Sequence, residues 1–231
     1  KMDVQSEEIA GAEAVVRYHH KDLGIVNPGR YINLLEETKL SHYLDLYVFE
    51  EVCKTLHRWE IENLPMIPVS VNFAGATLRQ ESVADKMMRL IEKYHVRCEY
   101  LEVEVSESGN DMNQEMLAET SSKIRKGNVR VILDHFGAKD SSFSILSLME
   151  FDGLKLDKSL ITNIVGNSRS RIVAQAVIDI CRQLGASVQA AGVETQDQLN
   201  VLQELGCDYA QGTLFNKPIK IETFEVRYLR K

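Results

Sequence analysis

Short β-branched and apolar runs alternate along this chain with longer amphipathic stretches. The runs Ala12–Arg17, Val69–Phe73, Leu101–Val105, Arg130–Leu133, Gly153–Leu156, Ser187–Ala191 and Tyr209–Gln211 predict strands. Several are apolar on both faces, as in the VRVIL run, which is the pattern of parallel strands covered by helices. Between them lie helical periods. Ile172, Val173, Ala176, Val177, Ile180 and Leu184 recur at three and four residues, and Gly185 then supplies a stop. Thr195 with Gln198 forms a capping box for a helix that ends at Gly206. Two further helices are predicted at about Ser41–Trp59, with Leu44, Val48, Val52 and Leu56 one turn apart, and at Val83–Tyr94.

Seven strands alternating with helices predict an α/β domain of the (β/α)8 TIM-like barrel type. The segment around Asp3-Val4 is the candidate for the remaining strand. An open doubly wound sheet fits less well, because no Gly-rich phosphate loop follows the first strand. A length of 231 residues suits one closed barrel, and no Ser/Gly/Pro-rich tract reads as a linker, so residues 1–231 are read as a single domain. The polar start at Lys1-Met2-Asp3 is read as that of a piece excised from a longer multidomain protein.

Charge narrows the function classes. Lys and Arg total 27 against 34 Asp and Glu, a formal charge of -7. A duplex-binding protein needs a basic face, so no DNA or RNA binding is expected. No apolar run approaches the roughly 18 residues that span a bilayer. Cys53, Cys98, Cys181 and Cys207 form no CxxC pair, and no signal peptide is visible. They are expected to be reduced, mostly buried core residues of a cytoplasmic domain.

The informative polar residues stand where the strands end. Those ends carry Glu13, Asn72, Glu104 and Glu107, Asp134 and His135, Lys155 and Asp157, Glu194, and Gln211. A barrel brings the C-terminal ends of its strands around one mouth, where chemistry sits. Carboxylates at that density repel one another unless cations or protons accompany them. Oxygen ligands, with Asn72 as a neutral one, suit Mg²⁺ or Mn²⁺. A pair of such ions activates water for attack on phosphorus, and Lys155 could balance phosphate charge or orient that water. His19-His20 is read as a surface loop, because adjacent residues on an extended segment point apart. His42, His57 and His95 show no ligand spacing, and no P-loop, zinc motif or nucleophile elbow is present.

These segments, in order, resemble one family. GAEAVVRY resembles the signature of the EAL domain, with Val15 where leucine is usual. PGRYINLLEET, VSVNFAGATL, LEVEVSES, VILDHFGAKDSS, LKLDKSLI, AAGVET, LGCDYAQG and LFNKP follow in the family's order, over about residues 9–220. The resemblance implies a barrel with one early strand antiparallel to the rest. It implies Mg²⁺- or Mn²⁺-dependent linearisation of cyclic-di-GMP to pGpG in active members. By the same resemblance, Glu13, Asn72, Glu104 and Asp134 match the ligands of the first metal, and Asp134 also reaches toward the second. Lys155 matches the lysine near the attacking water, and Glu107 the glutamate that steadies the following loop. Arg17 matches a phosphate-contacting arginine, and Asp157, Glu194 and Gln211 match polar positions of the ligand pocket. Attachment to a sensor or diguanylate-cyclase-like domain, and a homodimer, are family expectations.

Three departures bear on activity. His135 replaces the second aspartate of the family's Asp-Asp pair, and Ala191 stands where the family has a metal-binding glutamate. Both fall on the second metal, whose site is therefore expected to be empty. The loop after Phe136-Gly137 reads Ala138-Lys139-Asp140-Ser141-Ser142, without the family's glycine and aromatic residue. The expectation is a degenerate EAL domain with little or no phosphodiesterase activity, acting as a nucleotide receptor or regulatory module. An interaction scaffold without nucleotide and a surviving metal-dependent phosphodiesterase are the alternatives.

Overall fold

The computed structural model describes residues 1–22, 24–26, 28–106, 114–138 and 143–230, apart from the side chains of Arg30 and Gln114. Its strands are β1 (Met2–Asp3), β2 (Ala12–Ala14), β3 (Tyr18–His20), β4 (Gly24–Val26), β5 (Val69–Phe73), β6 (Leu101–Ser106), β7 (Arg130–Phe136), β8 (Gly153–Leu156), β9 (Ser187–Ala191) and β10 (Tyr209–Gln211). Its α-helices are α1 (Pro28–Glu37), α2 (Ser41–Ile61), α3 (Gly75–Leu78), α4 (Val83–Tyr94), α5 (Gln114–Lys126), α6 (Ile145–Leu148), α7 (Lys158–Thr162), α8 (Ser168–Leu184), α9 (Gln196–Leu205) and α10 (Ile221–Phe224).

Eight strands form one sheet in the order β1-β10-β9-β8-β7-β6-β5-β2. All neighbours are parallel except β1, which runs antiparallel to β10. The sheet curls into a distorted barrel. Its edge strand β1 reaches the segment leading into the other edge strand, β2, through a Met2–Ile9 bridge and the bond from Ala10 N–H to the Lys1 carbonyl. The remaining strand is thus β1, one residue earlier than Asp3-Val4, and it is also the antiparallel one. The hairpin β3-β4 stands apart as a two-stranded sheet, so His19 and His20 lie on a surface hairpin rather than a loop.

Local chemistry sets the helix boundaries. Gly185 and Gly206 take the left-handed conformation that ends α8 and α9, and the Thr195–Gln198 capping box opens α9. In α8 the predicted period is right but the stripe is turned. Ala174, Val177, Ile178 and Cys181 face the barrel, whereas Ile172, Val173 and Leu184 are exposed. The helix meets β8 and β9 over a narrower strip than its apolar content suggests. All four cysteines are free, with Cys53, Cys181 and Cys207 buried and Cys98 half-buried.

The barrel separates two interiors. Val69, Val71 and Phe73 of β5, and Leu101, Val103 and Val105 of β6, belong to the apolar core, which also holds Phe49, Leu56, Met87 and Val177 of the helices. Between these apolar positions, Glu102 and Glu104 alternate on β6 and are themselves buried. Glu102 accepts from Arg130 Nη1 at 2.7 Å and from the Lys1 ammonium. That layer borders a cavity of about 50 Å³ near the N-terminal ends of the strands. At the opposite ends, Asp45 of α2 fixes the turn after β5 by accepting from Ala74 N–H at 2.9 Å and Thr77 Oγ1 at 2.5 Å. Burial pushes the Asp45 carboxyl above its ordinary range, against the hydrogen bonds that hold it down.

Gly212 closes the turn after β10 against the segment after β9. A Cβ placed there would lie 2.0 Å from the Val193 carbonyl oxygen and 2.4 Å from its nitrogen. Backbone cannot yield as a flexible side chain does, so the cost falls on the strand ends that carry Ala191 and Gln211. Gly212→Ala is expected to destabilise the domain by about 3 kcal/mol or more. Urea denaturation checks this; a change within experimental error would remove the close approach as a constraint.

Candidate functional site

Six predicted residues from six strands converge at the C-terminal mouth of the barrel. Lys155 of β8 is their centre. Its ammonium donates to Glu104 Oε2 of β6 at 2.7 Å and to Glu13 Oε2 of β2 at 2.9 Å. It lies 3.7 Å from Asp134 Oδ1 of β7. Asn72 of β5 donates through Nδ2 to Glu13 Oε1 at 2.8 Å, and Gln211 of β10 donates through Nε2 to Glu13 Oε2 at 2.7 Å. Parallel register brings these side chains together: Asn72 is level with Glu104, and Ser106 with Asp134.

The electrostatics follow from that packing. Burial alone would raise the Glu13 carboxyl, but the Lys155 charge and the bonds from Lys155, Asn72 and Gln211 outweigh it and hold it at about 2. Burial works against the charged form of Lys155, and the charges of Glu104, Glu13 and Asp134 more than reverse this, so its pKa is raised.

Asp134 is turned inward by an irregularity of β7. The register with β8 shifts between Leu133 and Phe136, and His135 takes φ +58°. This left-handed conformation is uncommon for residues other than glycine. The His135 N–H donates to Asp134 Oδ1 at 2.7 Å, and its Nδ1 lies 3.0 Å from Asp134 Oδ2. The imidazole pKa is raised, chiefly by that bond to Asp134 and against burial. Both oxygens of Asp134 are therefore engaged by its own neighbour.

The other predicted residues stand apart from this cluster. The Arg17 guanidinium donates to the carbonyl of Val16 at 2.8 Å. Asp157 caps α7 by accepting from Ser159 N–H at 2.9 Å. Glu194 is exposed where its N–H donates to Gln198 Oε1 at 2.7 Å. Ala191, level with Gln211, brings only a methyl group. Glu107 and the segment Lys139–Ser142 lie outside the described residues.

The donors fit one hard cation in kind: three carboxylates and an amide, all oxygen ligands. Glu104 Oε1 is buried without a hydrogen-bond partner among the described residues, facing the Lys1 ammonium at 3.4 Å. Among those same residues, no three His, Cys, Asp or Glu side chains are already spaced around a metal position, because Lys155 stands between them. A second cation position fits poorly, since Ala191 offers no ligand and His135 brings an imidazole where a hard cation needs oxygen. Motif reading passes over several buried polar residues, among them Glu102 and Gln189 inside the barrel. The polar alternation of Leu101–Val105, and a glutamine inside SVQAA, carried that signal.

A curled, mostly parallel eight-stranded sheet with carboxylates, amides and a lysine gathered at the C-terminal strand ends defines an α/β-barrel domain with a polar mouth. The chain belongs to the EAL domain family, which matches residues 1–218. It is 31% identical to the cyclic di-GMP phosphodiesterase NbdA of Pseudomonas aeruginosa over 94% of this chain and 28% of that protein. It is likewise 31% identical to the signaling protein YkoW of Bacillus subtilis, over 97% of this chain and 28% of that protein. The chain thus spans less than a third of these relatives. Among solved structures, the PaMucR phosphodiesterase in complex with c-di-GMP superposes with a TM-score of 0.88 at 24% identity, covering 96% of this chain and 90% of that one. At that identity the likeness shows the fold. No helix among the described residues is long and apolar enough to cross a membrane.

Lys155→Met removes the cation that three carboxylates share, and a buried charge left without its partner costs roughly 3–5 kcal/mol at neutral pH. The pH slopes should also oppose each other. In the wild type, Glu13 is depressed from 4.5 to about 2, so its stabilisation is complete above about pH 4.5 and is lost as pH falls toward 2. In the variant Glu13 keeps its burial without the Lys155 charge, so its carboxyl favours protonation and stability should rise as pH falls from 7 to 5. Urea midpoints across pH 3–8 measure both; parallel pH profiles would refute the shared-cation arrangement.

Proposed function

We propose that this domain is a cyclic-di-GMP receptor or regulatory module, built on an EAL phosphodiesterase barrel, with little or no turnover. The observation that supports this reading is the make-up of the mouth. Glu13, Asn72, Glu104, Asp134, Lys155 and Gln211 converge there. Ala191, between Gln211 and Lys155 in the strand order, brings no ligand, and His135 brings an imidazole against Asp134 rather than a further carboxylate.

The chemistry divides accordingly. A bound Mg²⁺ or Mn²⁺ supplies charge neutralisation and polarises a phosphoryl oxygen. Glu13, Asn72, Glu104 and Asp134 are the residues that would hold it. Asn72 and Gln211 keep Glu13 anionic and oriented. Lys155, freed from part of its carboxylate pairing, offers its ammonium to a phosphate. At His135 and Ala191, among the described residues, there are no further anionic ligands to activate a nucleophile. Losing one electrostatic contact of that class lowers turnover by roughly 10²–10³. Arg17 can swing from the Val16 carbonyl to a phosphate, since that bond is local and exposed.

Calorimetric titration with cyclic-di-GMP, in Mg²⁺, Mn²⁺ or chelator, tests the reading alongside a pGpG product assay. Binding in the micromolar range or tighter is expected, with product formation no faster than in Lys155→Ala. Turnover clearly above that control would overturn the inactive assignment, and no binding under any condition would leave the scaffold alternative. Restoring anionic ligands with His135→Asp and Ala191→Glu together should raise product formation by about 10²-fold or more.

A further inference from the structure

The mouth has a support that its own residues do not supply. Gln189 of β9 is 4% exposed, level with Lys155 on one side and Tyr209 on the other. It lies one pleat below Ala191, whose methyl group holds nothing. From there its Nε2 donates to Gln211 Oε1 at 2.8 Å, and Gln211 Nε2 donates in turn to Glu13 Oε2 at 2.7 Å. We propose that Gln189 is a positioning residue for the mouth, which fixes the direction of the Gln211 amide and through it the carboxylate of Glu13.

A primary amide has one accepting and one donating end, and a half-turn exchanges them. With its oxygen engaged by Gln189, Gln211 presents only N–H to Glu13. The reversed orientation would set the Gln211 oxygen against a carboxylate and leave the buried Gln189 N–H without an acceptor. In a low-dielectric interior, successive bonds of this kind polarise and strengthen one another. Asn72 holds the other oxygen of Glu13 at 2.8 Å. The carboxylate is therefore clamped by two amides, independently of Lys155, and keeps its place when a cation or a phosphate draws Lys155 away. This inference rests on the reading of Glu13 as an oxygen ligand for a divalent cation. Partners that orient a ligand from behind typically account for about 10–100-fold in metal affinity.

The test uses Gln189→Met, which keeps the chain length and removes the donor. Its first readout needs no metal: the side-chain ¹H–¹⁵N signals of Gln211, assigned by their loss in Gln211→Met. These are expected to shift, and to exchange faster with water, in Gln189→Met. The second readout is Mn²⁺ affinity by electron paramagnetic resonance. Gln189→Met should bind about 10–100-fold more weakly at unchanged circular dichroism. The double variant with Gln211→Met should bind no more weakly than Gln211→Met alone. Unchanged Gln211 signals, or losses that add in the double variant, would overturn the proposal. If Gln189→Met does not fold, Gln189→Asn, one methylene too short to reach Gln211, takes its place with the same expectations. A wild type that binds no Mn²⁺ would defeat the reading of Glu13 as a ligand, while the Gln211 signals would still decide the relay.

Discussion

One ammonium among three carboxylates governs this barrel. Glu13, Glu104 and Asp134 come from three separate strands, and parallel register forces their side chains into one space. Like charges so close and so poorly hydrated repel one another. Lys155, from a fourth strand, resolves the conflict with bonds of 2.7 and 2.9 Å and a third contact at 3.7 Å. The compensation extends down the barrel. Lys1 reaches Glu102 and faces Glu104, and Arg130 completes the lower layer. Charges of alternating sign thus run along the interior, and the apolar content of the chain is left for the contact between strands and helices.

This arrangement decides what the mouth can do. A divalent cation entering among Glu13, Asn72, Glu104 and Asp134 competes with Lys155 for the same oxygens. Lys155 therefore neutralises the interior by itself, and a cation would have to displace that ammonium. His135 adds a second constraint. The turn that places it at φ +58° aims Asp134 inward, and the same turn brings the imidazole back onto the aspartate. An aspartate at this position would bring an anion to the edge of the site. Histidine instead brings a donor that consumes one.

How much of this could be read from the residues differs by level. The strand and helix order was legible because parallel strands between amphipathic helices leave a strong period, and because Gly185, Gly206 and the Thr195 cap mark boundaries locally. The convergence of Glu13, Asn72, Glu104, Asp134, Lys155 and Gln211 was legible from their places at strand ends. Their partners were not. A strand position does not say that Lys155 bonds two carboxylates at once, or that Arg17 turns to its neighbour's carbonyl. β1 was nearly invisible, since two residues carry no period; its pairing depends on β10, some two hundred positions away. The exposed Ile172, Val173 and Leu184 show the converse, because apolar spacing gives the helix but not how wide a strip its neighbours cover.

The polar interior also bears on the choice between receptor and scaffold. A barrel that only has to fold fills its centre with branched apolar side chains, which pack without a desolvation penalty. Buried ionic groups seldom stabilise more than apolar packing of equal volume. Here the mouth retains three carboxylates, an ammonium and two amides, and Gln189 lies beneath them. Against the family resemblance, His135 and Ala191 stand on β7 and β9, the two strands that flank Lys155. The loss is thus local, while the network around Glu13 has every polar contact needed to hold that carboxylate ionised and in one orientation. Such order favours the receptor reading over the scaffold. It suits a mouth that must present a fixed anion to a cation, and a releasable ammonium to a phosphate.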